Sequence, residues 1–115
     1  MPDGPAVDEA VFANLAADLG AGHIDEVSRV FLDNASVAVD RVRACLASGD
    51  LSGAARAAHG LKSASGFMGA TGLVSLCAAV EAGAPPAGAG ELLTAELVRT
   101  AGDLNLLVKR MSGAP

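Results

Sequence analysis

The chain is 115 residues long and sets 13 acidic against 8 basic side chains, a formal net charge of −5. That balance argues against a nucleic-acid partner, which would want a basic face to meet phosphates, and equally against docking on anionic lipid. Apolar residues make up 51%, enough for a core without disulfides or metal, whereas aromatics are only 3%, too few for a base-stacking platform.

The N-terminus, Met1-Pro2-Asp3-Gly4-Pro5, has no positive stretch leading into an apolar run, so no signal peptide is visible. Asp8 to Leu19 reads as a short helix with Val11, Phe12, Leu15 and Leu19 on its apolar side. Ile24, Val27, Phe31, Ala35, Ala38, Val42 and Cys45 then step by three or four along one face. They predict a helix of about 24 residues that ends at Ser48-Gly49-Asp50, where Gly takes the C-cap conformation. His23, in Gly20-Ala21-Gly22-His23, reads as a solvated loop or cap residue at its start.

Asp50 or Ser52 caps the next helix, whose stripe is Leu51, Ala54, Ala58, Leu61, Ser65 and Met68 and which Gly69 ends. Another helix follows from about Ala70, with Leu73, Leu76, Cys77 and Val80 on one side. Gly83 to Gly90, containing Pro85 and Pro86, is a loop by composition. The last helix runs from Glu91 to Met111, with Leu93, Leu97, Thr100, Leu104, Leu107 and Met111 in phase. Ser63 to Val80 carries no charge, but its serines, glycines and threonine dilute it too heavily for a membrane span, and it reads as a buried helical hairpin.

Alternating strand patterns are nearly absent. The expected fold is all-α: an antiparallel up-and-down four-helix bundle over about 24–111, with a short additional N-terminal helix at about 8–19, and 1–115 reading as a single domain. Cys45 and Cys77 have no metal-ligand spacing around them and read as buried free thiols in a reducing cytoplasm. One bundle of this size can close its own core, so a monomer is expected.

Phosphate-cradling loops, dinucleotide fingerprints and nucleophile elbows are all missing. Attention falls on His59. On the helical wheel it projects opposite the Leu51–Met68 stripe, with Ala55, Arg56, Lys62 and Ser63 one turn away and Ser52 and Gly66 two turns away. Gly60 and Gly66 sit inside the helix at about 1 kcal/mol each relative to Ala, a penalty easier to accept if something must approach the backbone closely. From the residues alone, an exposed idle histidine is the plainer reading and a reactive one the sharper.

The run Ala58-His59-Gly60-Leu61-Lys62-Ser63-Ala64-Ser65-Gly66-Phe67-Met68-Gly69-Ala70, continuing to Leu73, Leu76, Cys77 and Glu81, resembles the histidine-containing phosphotransfer (HPt) family. That family's pattern reads A-H-x-L-K-G-S-S-x-x-x-G-A-x-x-L-x-x-L-C, on a four-helix bundle with an extra N-terminal helix. Ser63 stands where the pattern has Gly, and Ala64 where it often has Ser; both are small.

The resemblance implies a phosphorelay intermediate. His59 would accept a phosphoryl group from the phospho-aspartate of a receiver domain and pass it to another receiver, with a hybrid sensor histidine kinase upstream. Lys62 would stabilise the charge of the phosphoryl group, and Ser63 could donate a hydrogen bond to it. Ser52, Ala55, Arg56, Ser63 and Gly66 would form the face that meets the partner. No cofactor is implied, because the receiver brings the Mg²⁺, and no kinase activity of the chain's own. The alternative is an all-helical adaptor that binds a signalling partner without phosphorylation. A third reading, the phospho-accepting domain of a chemotaxis-type kinase, belongs to long multidomain chains. The end at Ser112-Gly113-Ala114-Pro115, close after the last helix, favours a free-standing protein, and the Ala/Gly/Val-rich composition suggests a bacterial one.

Overall fold

In the computed structural model, residues 4–111 are described; Met1–Asp3 and Ser112–Pro115, where the leader and the chain end were read, lie outside the described residues. The helices are α1 (Glu9–Leu19), α2 (Ala21–Ser48), α3 (Leu51–Met68), α4 (Thr71–Glu81) and α5 (Ala89–Met111), with no strand among the described residues. α2 packs on α3 and α5, and α4 packs on the same two, so α2 to α5 close a ring while α1 lies against α2 and α3. The all-α bundle with an additional N-terminal helix is therefore the fold observed.

Local chemistry explains where most helices begin and end. Asp8 caps α1 by accepting from the N–H groups of Ala10 (2.9 Å) and Val11 (3.3 Å). Asp50, not Ser52, caps α3 by accepting from Gly53 N–H at 2.8 Å. Gly49 and Gly69 end α2 and α3 in the left-handed conformation, both at φ 78°, which a glycine adopts without a Cβ penalty.

Two boundaries differ from the sequence reading. α2 begins at Ala21 and has 28 residues, because Gly20 alone, at φ 87°, turns the chain out of α1 and the residues after it are already helical. His23 is accordingly an exposed residue of the first turn of α2 rather than of a loop. α5 begins at Ala89, two residues before the Glu91 that composition suggested.

The core is a run of small and medium side chains around Ile24, Phe31 and Val42 of α2, Ala54, Ala58, Leu61 and Met68 of α3, Leu73 and Cys77 of α4, and Leu93 and Leu104 of α5. On α2 the buried stripe is shifted, with Ser28 and Val39 inside and Val27 and Ala38 only half-buried. Leu51 and Met111, read as core, are exposed at the helix ends, and Cys45 is half-buried where Cys77 is fully buried.

The segment before α1 is bolted to α5. Asp103 accepts from the N–H groups of Ala6 (2.8 Å) and Val7 (3.3 Å), and Arg99 donates to the Gly4 carbonyl. Asp8 N–H donates to the Gly69 carbonyl at 2.7 Å, tying the same segment to the end of α3. Ala6 and Val7 are buried in consequence.

Candidate functional site

With Ala54, Ala58, Leu61, Ser65 and Met68 turned inward, the 3.6-residue period of α3 sends His59 outward, and its side chain is 64% exposed. The Gly69-Ala70 link reverses the chain, and α4 runs back along α3. His59 lies ten residues before Gly69 and Glu81 twelve after it, so the last residue of α4 arrives beside the histidine.

Glu81 Oε2 lies 2.5 Å from His59 Nδ1, and Glu81 Oε1 forms an ion pair with the Lys62 ammonium. One carboxylate thus joins the histidine to the lysine one turn along α3. The hydrogen bond from Lys62, and then the one from His59, hold the Glu81 carboxyl below the ordinary 4.5, so it is ionised at neutral pH. A carboxylate can only accept, so Nδ1 is the nitrogen that donates, and in the neutral imidazole Nε2 holds the lone pair, directed away from Glu81.

One turn back on α4, burial pushes the Cys77 thiol up to about 11, with the negative charge of Glu81 adding to the effect. Cys77 is a neutral core residue beneath the site and no nucleophile.

Ser52, Ala55 and Arg56 share a shallow cleft with His59 and Glu81. Arg56 donates to Ser52 Oγ at 3.4 Å. Ser63 and Gly66 lie outside this cleft, exposed further along the same face. The helix glycines there answer to nothing inside the chain: a Cβ at Gly60 would meet only open space, and one at Gly66 would rest 3.9 Å from Val74.

Two features carried no assignment from sequence. Glu81 stood in the motif without a role; the signal that would have found it is the near-equal count of residues on either side of the Gly69 turn. The second is an apolar groove of about 420 Å³ between α2 and α3, bordered by Val27, Val30, Phe31, Gly60, Ala64 and Phe67. Phe67 is 59% exposed and Val30 53%, which no turn or cap requires. Phe67 falls off the buried stripe of α3, and that was the legible hint.

Among the described residues no cluster of three His, Cys, Asp or Glu could hold a metal ion, and no helix is long and apolar enough to cross a membrane. No curated protein and no solved structure gives a significant match to the chain. The family model of the Hpt domain matches residues 26–113, which take in α3, α4, α5 and nearly all of α2. Hpt domains carry out histidine phosphotransfer in phosphorelay signalling and interact there with receiver domains and kinases. With most of its length matched, and with an exposed histidine on a helical bundle of the expected kind, the chain belongs to the Hpt domain family.

Proposed function

We propose that this protein is a phosphorelay intermediate in which His59 takes a phosphoryl group from the phospho-aspartate of one receiver domain and delivers it to another. The observation that carries the reading is the engagement of His59 Nδ1 by Glu81, which presents Nε2 as the free nucleophile on an exposed helix face. In the transfer the Nε2 lone pair attacks phosphorus. The Nε2–P bond forms as the aspartyl O–P bond breaks, and the aspartate leaves as its carboxylate. The Nδ1 proton stays against Glu81, whose charge meets the positive charge the ring acquires. Reversal regenerates the same neutral imidazole, so no proton has to move in either direction.

The donor acyl phosphate is already activated, and what remains is alignment and charge neutralisation. Lys62, within reach of His59 and paired with Glu81, supplies positive charge toward the phosphoryl oxygens, and Ser63 offers a hydroxyl one turn beyond the histidine. The Mg²⁺ belongs to the receiver's acidic site. The receiver must bring the phosphorus on its aspartate to roughly 3–3.5 Å from Nε2, so the small and polar face of Ser52, Ala55, Arg56, Ser63 and Gly66 lies under it. The adjoining α2/α3 groove gives its apolar side chains a seat. A hybrid sensor histidine kinase supplies the phosphoryl group upstream, and the protein acts as a cytoplasmic monomer.

The test is His59→Gln. This substitution abolishes acid-labile, base-stable labelling by a phosphorylated receiver while helical circular dichroism and melting stay nearly unchanged, since an exposed substitution costs within about 0.5 kcal/mol. His23→Gln keeps the label. A wild-type protein that binds receivers and never becomes labelled would be an adaptor.

A further inference from the structure

The three charged side chains around His59 are not equivalent. On a helix with 3.6 residues per turn, Lys62 and Arg56 lie about 60° to either side of His59. Lys62 is on the α4 side, where its ammonium is already paired with Glu81. Arg56 is on the α2 side, where it borders both the cleft that holds His59 and the α2/α3 groove. Among the described residues its guanidinium has one hydrogen bond, at 3.4 Å to the neutral hydroxyl of Ser52, and no carboxylate partner. The groove lining carries a second cation, Arg41 of α2, and no carboxylate at all. In a chain with a net charge of −5 this is a local reversal of sign.

The imidazole ring makes that asymmetry matter. Its two nitrogens point in nearly opposite directions, and Nδ1 is turned to Glu81 on α4. Nε2 is therefore turned away from Glu81 and from the lysine that the carboxylate holds, and Arg56 is the charged side chain on the other flank of His59, in the same cleft. We infer that Arg56, rather than Lys62, is the principal cation that contacts the phosphoryl group on His59 Nε2. Its planar fork offers two parallel N–H donors to two phosphoryl oxygens, a geometry an ammonium cannot reproduce. Lys62 then keeps Glu81 ionised and in place, and Glu81 keeps the Nδ1 proton. The inference rests on the phosphorelay reading above and adds a residue role to it.

The experiment compares wild type, Arg56→Ala, Arg56→Lys and Lys62→Ala with two donors: phosphoramidate, which needs no docking surface, and a receiver domain charged with acetyl phosphate. Arg56→Ala slows labelling by phosphoramidate about ten-fold and slows the receiver at least as much, a loss of one charge-assisted contact. Arg56→Lys recovers part of the rate, and Lys62→Ala loses less than Arg56→Ala. In wild type, phosphorylation also slows solvent exchange of the Arg56 Nε–H, read by NMR. An exposed Ala on a helix is well tolerated, so circular dichroism stays unchanged and the rates report on the contact. If Arg56→Ala matches wild type with phosphoramidate, the inference is overturned, and a loss confined to the receiver would make Arg56 a docking residue only. The phosphorelay reading survives either result. A wild-type protein that neither donor labels overturns both.

Discussion

Two glutamates show how differently one side chain is used in this fold. Glu81, at the end of α4, is 29% exposed and has both oxygens engaged by groups on another helix, His59 and Lys62. Glu96, in the middle of α5, is 5% exposed, and among the described residues only its Oε1 has a partner, Arg99 one turn away at 2.7 Å. Its Oε2 is buried without a hydrogen bond, pressed against the first turn of α4 where Gly72 leaves the room. The exposed carboxylate is fully satisfied and can be reorganised cheaply in water. The buried one is half-satisfied and fixed by its surroundings. Glu81 therefore has the properties of a group that takes part in chemistry, and Glu96 those of a group that sets how α5 meets α4.

The largest expected effect tests the buried member. A Cβ at position 72 would overlap the Glu96 carboxylate, so Gly72→Ala must swing that group off Arg99 inside a closed space. Leaving a buried polar group unpartnered costs about 1–3 kcal/mol, and the better helix propensity of Ala returns up to about 1. Gly72→Ala should melt several degrees lower and still be labelled at His59. In a Glu96→Ala background the same substitution should become neutral to slightly stabilising. Equal losses in both backgrounds would detach Gly72 from Glu96.

Glu81 predicts the opposite pattern. Glu81→Ala leaves Nδ1 and Lys62 without their common partner, so phosphoryl uptake falls about ten-fold, while thermal unfolding at neutral pH barely moves. The contact also fixes the pH response. Because the folded-state pKa of Glu81 lies below the unfolded value, its stabilising contribution is complete above the ordinary 4.5 and disappears as pH falls through the lowered pKa. Carboxyl ¹³C shifts should show Glu81 titrating below 4.5 in wild type and moving back up in Lys62→Ala, because the lysine hydrogen bond is the largest cause of the shift. A titration unchanged by Lys62→Ala would remove the lysine from the site.

The same contrast separates what was legible in the sequence from what was not. Helix count and order, a cap for α3 at Asp50 or Ser52, the Gly49 and Gly69 stops and the outward aim of His59 all follow from spacing and turn chemistry within a few residues. Glu96 against Gly72 is a juxtaposition between helices that no local pattern encodes, and Glu81 beside His59 shows only in the near-equal count of residues on either side of Gly69. The early start of α2 was missed for a related reason: Gly20 and Gly22 look alike in sequence, and only Gly20 takes positive φ. Leu51 shows where the apolar pattern misleads, whereas Phe67 falls outside that pattern. Leu51 is at a helix end with nothing to cover it, and Phe67 is turned toward the groove.

The last expected effect on stability, a gain, falls on Gly66, whose position contrasts with that of Gly72. The Cβ of a larger residue at position 66 would meet only Val74, at an ordinary 3.9 Å, so the fold has no use for a glycine there. Gly66→Gln should therefore raise stability by about half a kcal/mol or more, the difference in helix propensity. If the receiver lies over this face, the added side chain occupies the space into which the partner's backbone must come. Transfer from a charged receiver should then fall sharply while phosphoramidate still labels His59 at the wild-type rate. Equal loss with both donors would mean that the new side chain disturbs the imidazole itself. Unchanged transfer with both would move the docking surface off the small-residue face and onto the groove, leaving Gly66 without a role in either folding or transfer.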